Sequence, residues 1–289
     1  LIICIAKVFL KIFQGSLQVI DQIIFNIYRK FFKVKVYDCM IFHNELELLK
    51  LRLEYLKDDV DIFVIVEAKI TFAGKLKDKF NAEEFLENLP LDLKNKIRYI
   101  QINPLQIPFE AKNDPWEVEH YVRDAINYGL SDLRHFDFVW ISDIDEIPNR
   151  DAKFKLGKLS MYFSNYKMNL LKNNKWDWSK AVLGKTFFRL TPQKIRMNSW
   201  KYGFAVKNGG WHFSFLMNVE QIIDKVKSFS FTNLNKKEYL DPIHLENCIK
   251  NGYDLFKRKG EDLHKESDLS FLPDIVIKNI SKYKKFIIN

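Results

Sequence analysis

The sequence predicts an α/β fold: a mixed central sheet flanked by helices, with an amphipathic helix ahead of it. Three observations predict it. The run from Asp61 to Glu67 is continuously apolar between its end acids, the pattern of a central strand covered on both faces. The run from Phe136 to Pro148 begins as a similar strand and ends in three carboxylates, Asp143, Asp145 and Glu146. Around these runs lie stretches with apolar residues at helical spacing, and strands alternating with helices imply a sheet joined by crossovers.

The elements follow in order. Within residues 1–33, Lys7, Lys11, Gln14, Gln18, Asp21 or Gln22, and Arg29 recur at spacings of three, four or seven, a narrow polar stripe on an otherwise apolar helix. Charged residues interrupt it, so no clean run long enough to span a bilayer exists. No small-residue cleavage site follows, which argues against a signal peptide. Such a helix lies in a membrane surface, docks on the domain or on a second chain, or is a degenerate anchor. Lys30, Lys33 and Lys35 form a basic hinge into the domain at residues 34–289. Val34 to Phe42 reads as a strand. Asn44 is suited to cap a helix running to Leu56, with Leu46, Leu49, Leu53 and Leu56 on one face. After the Asp61–Glu67 strand come a loop from Phe72 to Lys79, a helix from Ala82 to Glu87 and a strand from Ile97 to Ile102. Pro104, Pro108 and Pro115 break the next section, and a helix runs from Trp116 to Leu130. After the acidic strand, Pro148 suits a first helical turn and a helix is expected from Asp151 to Asn165. Met168 to Phe215 is rich in aromatics, among them Trp176, Trp178, Phe187, Phe188, Trp200, Tyr202 and Trp211, in short runs that suit an antiparallel extension. Helices follow at Val219–Ser228 and Pro242–Asn251, the second closed by Gly252 as a C′ residue. The lysine-rich tail from Asp262 is expected on the surface.

At 289 residues and 47% hydrophobic, the chain can bury a substantial core and is not a disordered polymer. Its net charge of +9 favours anionic lipid or a phosphate-bearing substrate. Nucleic acid is not expected, because the lysines are spread and no nucleic-acid module is visible. Cys4, Cys39 and Cys248 are far apart and form no CxxC pair, so neither structural zinc nor a disulfide framework is expected.

The chemistry gathers at the acidic strand end. Side chains at i and i+2 of an extended chain share a side, so Asp143 and Asp145 face one way and Ile144 the other. Two hard oxygen ligands suit Mg²⁺ or Mn²⁺, which leave positions open for phosphate oxygens. The competing reading is a strand-end loop of solvated acids. Glu67 and Asp143 both stand at carboxyl ends of strands, where α/β sheets bind ligands. His212 follows Gly209 and Gly210, whose backbone can approach a neighbour closely, and is a candidate third metal ligand.

Ordered blocks along the chain resemble glycosyltransferase family 17, whose animal member is a β-1,4-mannosyl-glycoprotein β-1,4-N-acetylglucosaminyltransferase. The resemblance runs from Tyr37 to Lys259. It rests on Asp38 with Phe42–Leu46 and Leu51–Leu53, Phe63–Ala68 with Thr71–Lys75, Trp116-Glu117 with Arg123-Asp124, Ile141–Pro148, Gly210–Ser214 and Asn251–Arg258.

The resemblance implies a GT-A type nucleotide-sugar-binding fold and a divalent cation, Mn²⁺ or Mg²⁺. It implies inverting transfer from a UDP-sugar, UDP-GlcNAc being the family's best-known donor, to a glycan, glycoprotein or glycolipid acceptor. In that frame Asp143, Asp145 and His212 are metal ligands, and Glu67, Arg123, Asp143 and Trp211 contact the donor. Inversion needs a carboxylate base facing the leaving group from the other side; Glu146, Asp224 and Glu246 are candidates. Two departures bear on the acceptor: Phe215-Leu216 runs into Met217-Asn218 where glycines are usual, and a histidine is replaced within Ser228–Thr232. Animal members carry a membrane anchor where residues 1–33 stand, so the expected location is a membrane surface, the Golgi in a eukaryote, or the cytoplasm. From other classes, a metal-dependent nucleotidyltransferase also uses paired aspartates but usually has a phosphate-cradling glycine loop, which is not visible here. A catalytically silent carbohydrate- or membrane-binding protein is the other alternative.

Overall fold

A computed structural model describes residues 2–198 and 204–288, and the side chains of the N-terminal helix from Leu17 onward. Lys7, Lys11, Gln14 and Cys4 as side chains, and Trp200 and Tyr202, lie outside the described residues. The helices are α1 (Ile2–Phe31), α2 (Leu46–Leu56), α3 (Glu83–Glu87), α4 (Leu91–Lys94), α5 (Pro115–Asp124), α6 (Pro192–Met197), α7 (Val219–Ser228), α8 (Pro242–Asn251), α9 (Asp274–Lys278) and α10 (Ile280–Tyr283). The strands are β1 (Val36–Phe42), β2 (Ile62–Ala68), β3 (Ile97–Ile102), β4 (Phe138–Asp143), β5 (Glu146–Pro148), β6 (Gly157–Asn165), β7 (Leu170–Leu171), β8 (Lys180–Leu183), β9 (Ala205–Ser214) and β10 (His264–Lys265).

One mixed sheet carries the fold, in the order β10-β7-β6-β8-β4-β1-β2-β3, with β9 beside β6 and β5 beside β9. β3, β2, β1 and β4 are mutually parallel. β8 then joins β4 antiparallel, and β6 joins β8 antiparallel. β7 and β8, from the aromatic-rich region, form the antiparallel extension expected there, whereas β9 of the same region pairs antiparallel with β5 but parallel with β6. β1 and β2 are buried along their whole length, which is why their sequences, apart from Asp38 and Glu67, are apolar without alternation. The mixed α/β sheet flanked by helices matches the predicted class and is consistent with a GT-A type fold.

Several local expectations are corrected. The helix expected at Asp151–Asn165 is a short 3₁₀ turn at Arg150–Ala152 followed by β6. Leu159 and Met161 of β6 are buried and Lys158 and Ser160 are not, a period of two that outweighs helix propensity. Pro148 ends β5 instead of opening a helix; the ladder resumes one residue later, where Asn149 N–H donates to Gly209 O. Asn44 does not cap α2; Glu45 stands at that position, and its carboxylate accepts from the backbone N–H groups of His43 and Asn44. The helix expected to reach Leu130 stops at Asp124 and tightens into a 3₁₀ stretch over Ala125–Gly129. The tail from Asp262 is only partly superficial, because Leu272, Val276 and Tyr283 enter the core. Gly252 does close α8, at φ 73°.

Gly209 and Gly210 permit close approach, but of backbone to backbone. A Cβ on Gly210 would stand 2.1 Å from Ile147 O of β5, and one on Gly209 2.8 Å from Leu159 of β6. Side chains there would push β9 off its neighbours and carry His212 with it. Cys39 and Cys248 are buried and free.

α1 lies against the amino-terminal end of the sheet by its polar stripe. Gln18 donates to Leu156 O and accepts from Phe204 N–H; Gln22 donates to Phe154 O and accepts from Leu156 N–H. Asp21 pairs with Lys185 at 2.5 Å. Phe25 is fully buried against Phe138, the first residue of β4.

Candidate active site

β4 delivers the acids. Its last residue, Asp143, stands opposite Ile41 of β1, and Ile144 turns into the core. β5 then runs back against β9, placing Glu146 opposite His212. Arg52 of α2, itself buried, fixes this turn. Its guanidinium donates to both Asp38 oxygens at 2.9 and 2.7 Å, to Ser142 Oγ at 2.6 Å and to Asp143 O at 2.6 Å. A buried arginine costs desolvation unless its donors are filled, and here they are.

The three acids have different partners. Asp143 Oδ1 accepts from Arg123 of α5, and Oδ2 accepts from Arg196 of α6 at 2.6 Å. Glu146 accepts a two-pronged bond from Arg196 at 2.6 and 2.7 Å, plus bonds from Trp176 Nε1 and Ser179 Oγ at 2.6 Å each. Burial opposes the ionisation of Glu146, but the Arg196 guanidinium outweighs it and holds the carboxyl well below the usual range. Asp145 Oδ2 accepts from Lys225 Nζ at 2.9 Å, while Oδ1 faces His212 Nε2 at 3.6 Å. Burial works against the charge here too, and Lys225 with His212 more than offsets it, so Asp145 is held below the usual carboxylate range. Lys225 also reaches Glu45 Oε1 at 2.9 Å.

His212 is oriented by stacking. Phe163 lies at 4.7 Å and Trp176 at 4.2 Å between ring centroids. Its Nδ1 has no hydrogen-bond partner among the described residues, so the rings do the work an acceptor usually does for a metal-binding histidine. Asp143, Asp145, Glu146, Arg123 and His212 all line one cleft of about 610 Å³. Its outer walls are aromatic: Trp116 meets Phe231 edge to face at 4.6 Å, and Trp178 is 43% exposed.

The donor set accommodates a divalent ion at one place. Asp145 Oδ1 and His212 Nε2, 3.6 Å apart, are close enough to share a cation at ordinary ligand distances of about 2.0–2.2 Å. Both oxygens of Asp143 are already taken by guanidinium groups. No cluster of three or more His, Cys, Asp or Glu able to hold a metal occurs among the described residues, so substrate oxygens would have to complete the shell.

Other predicted site residues lie elsewhere. Glu67 is fully buried and accepts from Lys77 Nζ, Asn81 N–H, Ala82 N–H and Tyr99 OH at 2.5 to 3.0 Å. Lys77 and Asn81 also donate to His43 O, so Glu67 braces the His43 wall of the cleft from behind. Trp211 points to the other side of β9 from His212; its Nε1 donates to Phe271 O, and it lines a separate cavity of about 600 Å³. Asp224 is exposed on α7, close enough for its charge to act on His43. Glu246 is exposed on α8 and does not line the cleft.

Arg196, Lys225, Glu45 and Ser179 were not singled out from the sequence. Lys225 left one readable signal: it sits beside Ile222 and Val226, the buried stripe of α7, where a lysine needs an acid opposite. Arg196 and Ser179 left none, because their contacts cross from separate elements.

Four parallel strands of a mixed sheet with acids gathered beyond the carboxyl ends of β1 and β4, under aromatic walls, are the layout of an α/β enzyme that binds its ligand at the strand ends. The model of glycosyltransferase family 17 matches residues 24–286, and the chain belongs to that family. Membership makes it a glycosyltransferase, with a nucleotide-sugar donor and a glycan acceptor. No curated protein matches the chain.

Proposed function

We propose that the cleft transfers GlcNAc from UDP-GlcNAc to a glycan hydroxyl with inversion, in the presence of Mn²⁺ or Mg²⁺. The observation that carries this reading is the approach of Asp145 Oδ1 to His212 Nε2 at 3.6 Å on the floor of the acid-lined cleft. Asp145 and His212 would hold the cation, whose contribution is to neutralise the leaving diphosphate. Lys225 keeps Asp145 ionised and turned toward His212. Arg123 and Arg196 hold Asp143 at the mouth, where its carboxylate suits a donor hydroxyl; both guanidiniums are already neutralised by carboxylates, so charge on the diphosphate is left to the cation. The aromatic walls suit sugar faces and exclude water.

Of the base candidates, Glu146 is saturated with donors and serves to position Arg196. We assign proton acceptance to Asp224, which is exposed on α7 next to the cleft-lining Lys225 but does not itself line the cleft, so the acceptor would have to extend past Lys225 to reach it. A thermal-shift screen of UDP-, GDP- and CMP-sugars, with and without Mn²⁺, tests the reading. UDP-GlcNAc with Mn²⁺ is expected to raise the melting temperature most, because a ligand stabilises only the state that binds it. No stabilisation by any nucleotide sugar would defeat it.

A further inference from the structure

α1 docks the opposite way round from an ordinary amphipathic helix. Its inward face carries Gln18, Asp21, Gln22, Phe25 and Tyr28, and the two glutamines bond backbone groups of the segment Phe154–Leu156. Its outward face carries Leu17, Ile20, Ile24, Ile27 and Phe31 at spacings of three and four, with Ile23 beside them. All six are exposed, Ile27 at 54% and Phe31 at 75%. From Leu17 to Phe31 this ridge is about 21 Å long at helical rise. Solvent does not favour such a ridge, and none of the described residues covers it.

The surrounding charge identifies the occupant. Asp21 is the only acid in the first 35 residues, and it is turned inward onto Lys185. Arg29, Lys30 and Lys33 are exposed at the end of the ridge. An apolar face bordered by cations and free of acids complements an anionic lipid surface. A second copy of the same face would bring like charges together with no acid to pair them. Among the described residues, no helix is long and apolar enough to cross a bilayer.

We propose that α1 is a membrane-surface helix: its polar stripe is bolted to the catalytic domain and its apolar ridge lies in the interface of an anionic bilayer. Because α1 docks where β4 begins and the acids stand where β4 ends, the bilayer and the cleft lie at opposite ends of that strand, at least its length of roughly 17–20 Å apart, with the width of α1 to be added. The cleft is therefore held off the membrane in a fixed orientation, not on a flexible tether.

Flotation of the full chain with vesicles of phosphatidylcholine alone, or of phosphatidylcholine mixed with phosphatidylserine, tests this. The wild type is expected to float with the mixed vesicles, and less so as salt is raised. The triple variant Ile20→Asp, Ile24→Asp, Ile27→Asp is expected to lose binding by at least about tenfold with little change in melting temperature, since these side chains are exposed on the outward face of α1. Binding equal in wild type and variant would overturn the proposal, as would a wild type that floats with neither vesicle. A dimer dispersed by the same three substitutions, without vesicle binding, would assign the ridge to a second copy and overturn it as well.

Discussion

Lys225 Nζ stands 2.9 Å from Asp145 Oδ2 and 2.9 Å from Glu45 Oε1, joining the second acid of the strand-end cluster to the first turn after β1. Two carboxylates meet over one ammonium, inside the protein. Burial disfavours the charge on Lys225, but Asp145 and Glu45 outweigh it and raise its pKa above the usual lysine range. Replacing Lys225 by Met leaves Asp145 and Glu45 facing each other without their shared cation. The expected cost is about 3 kcal/mol of stability, read from denaturant midpoints. Mn²⁺ is expected to restore more stability to this variant than it adds to the wild type, since a cation beside Asp145 replaces the missing charge.

Glu146 separates a structural role from a catalytic one. Glu146→Gln removes the charge that binds Arg196 and is expected to lower stability by about 3 kcal/mol. A true base would show the reverse pattern, with stability unchanged and turnover lost. Calorimetry together with a rate assay distinguishes the two.

Asp224→Asn is expected to lower turnover by about a hundredfold or more, the usual yield of general base catalysis. Donor affinity and melting temperature should not change, because the carboxylate is exposed. An unaltered rate would assign the base to another residue.

His43 makes stability depend on pH. Its pKa is lowered from 6.5 to about 4. Burial is the main cause; Glu45 opposes it, Lys77 and Lys225 add to it, and Asp224 opposes it. Between those two values the unfolded chain binds a proton that the folded chain refuses, so stability falls as pH falls through the window. His43→Asn should flatten the slope of melting temperature against pH in that range. An unchanged slope would place the titrating group elsewhere.

The sheet was legible where one strand carries its own pattern. Ile62–Ala68 is apolar at every position but its penultimate Glu67, and Ile97–Ile102 and Val219–Ser228 match their sequence expectations residue for residue. β6 does not show in the sequence, because Asp151 and two lysines run up to it like a helical first turn, and only tertiary burial of Leu159 and Met161 settles its period. The site was half legible. Asp143 and Asp145 announced themselves by breaking an apolar strand, and His212 by its glycines. What each acid meets could not be read, because Arg123, Arg196 and Lys225 arrive from three helices, each at a different distance along the chain. The same limit applies to Glu67 and Trp211, whose partners were not apparent from their neighbours in sequence. The polar stripe of α1 was visible, but its inward orientation depends on carbonyl groups at Phe154 and Leu156 that no periodicity reveals.

The most direct test of the central claim is the rate of UDP release from UDP-GlcNAc, with acceptor and Mn²⁺, by the wild type and by Asp145→Asn. Asparagine keeps the shape but removes the charge that faces His212 and Lys225. The account predicts a loss of about a thousandfold, equivalent to about 4 kcal/mol of transition-state stabilisation, in a variant that still folds. A folded Asp145→Asn protein that turns over at the wild-type rate would contradict it.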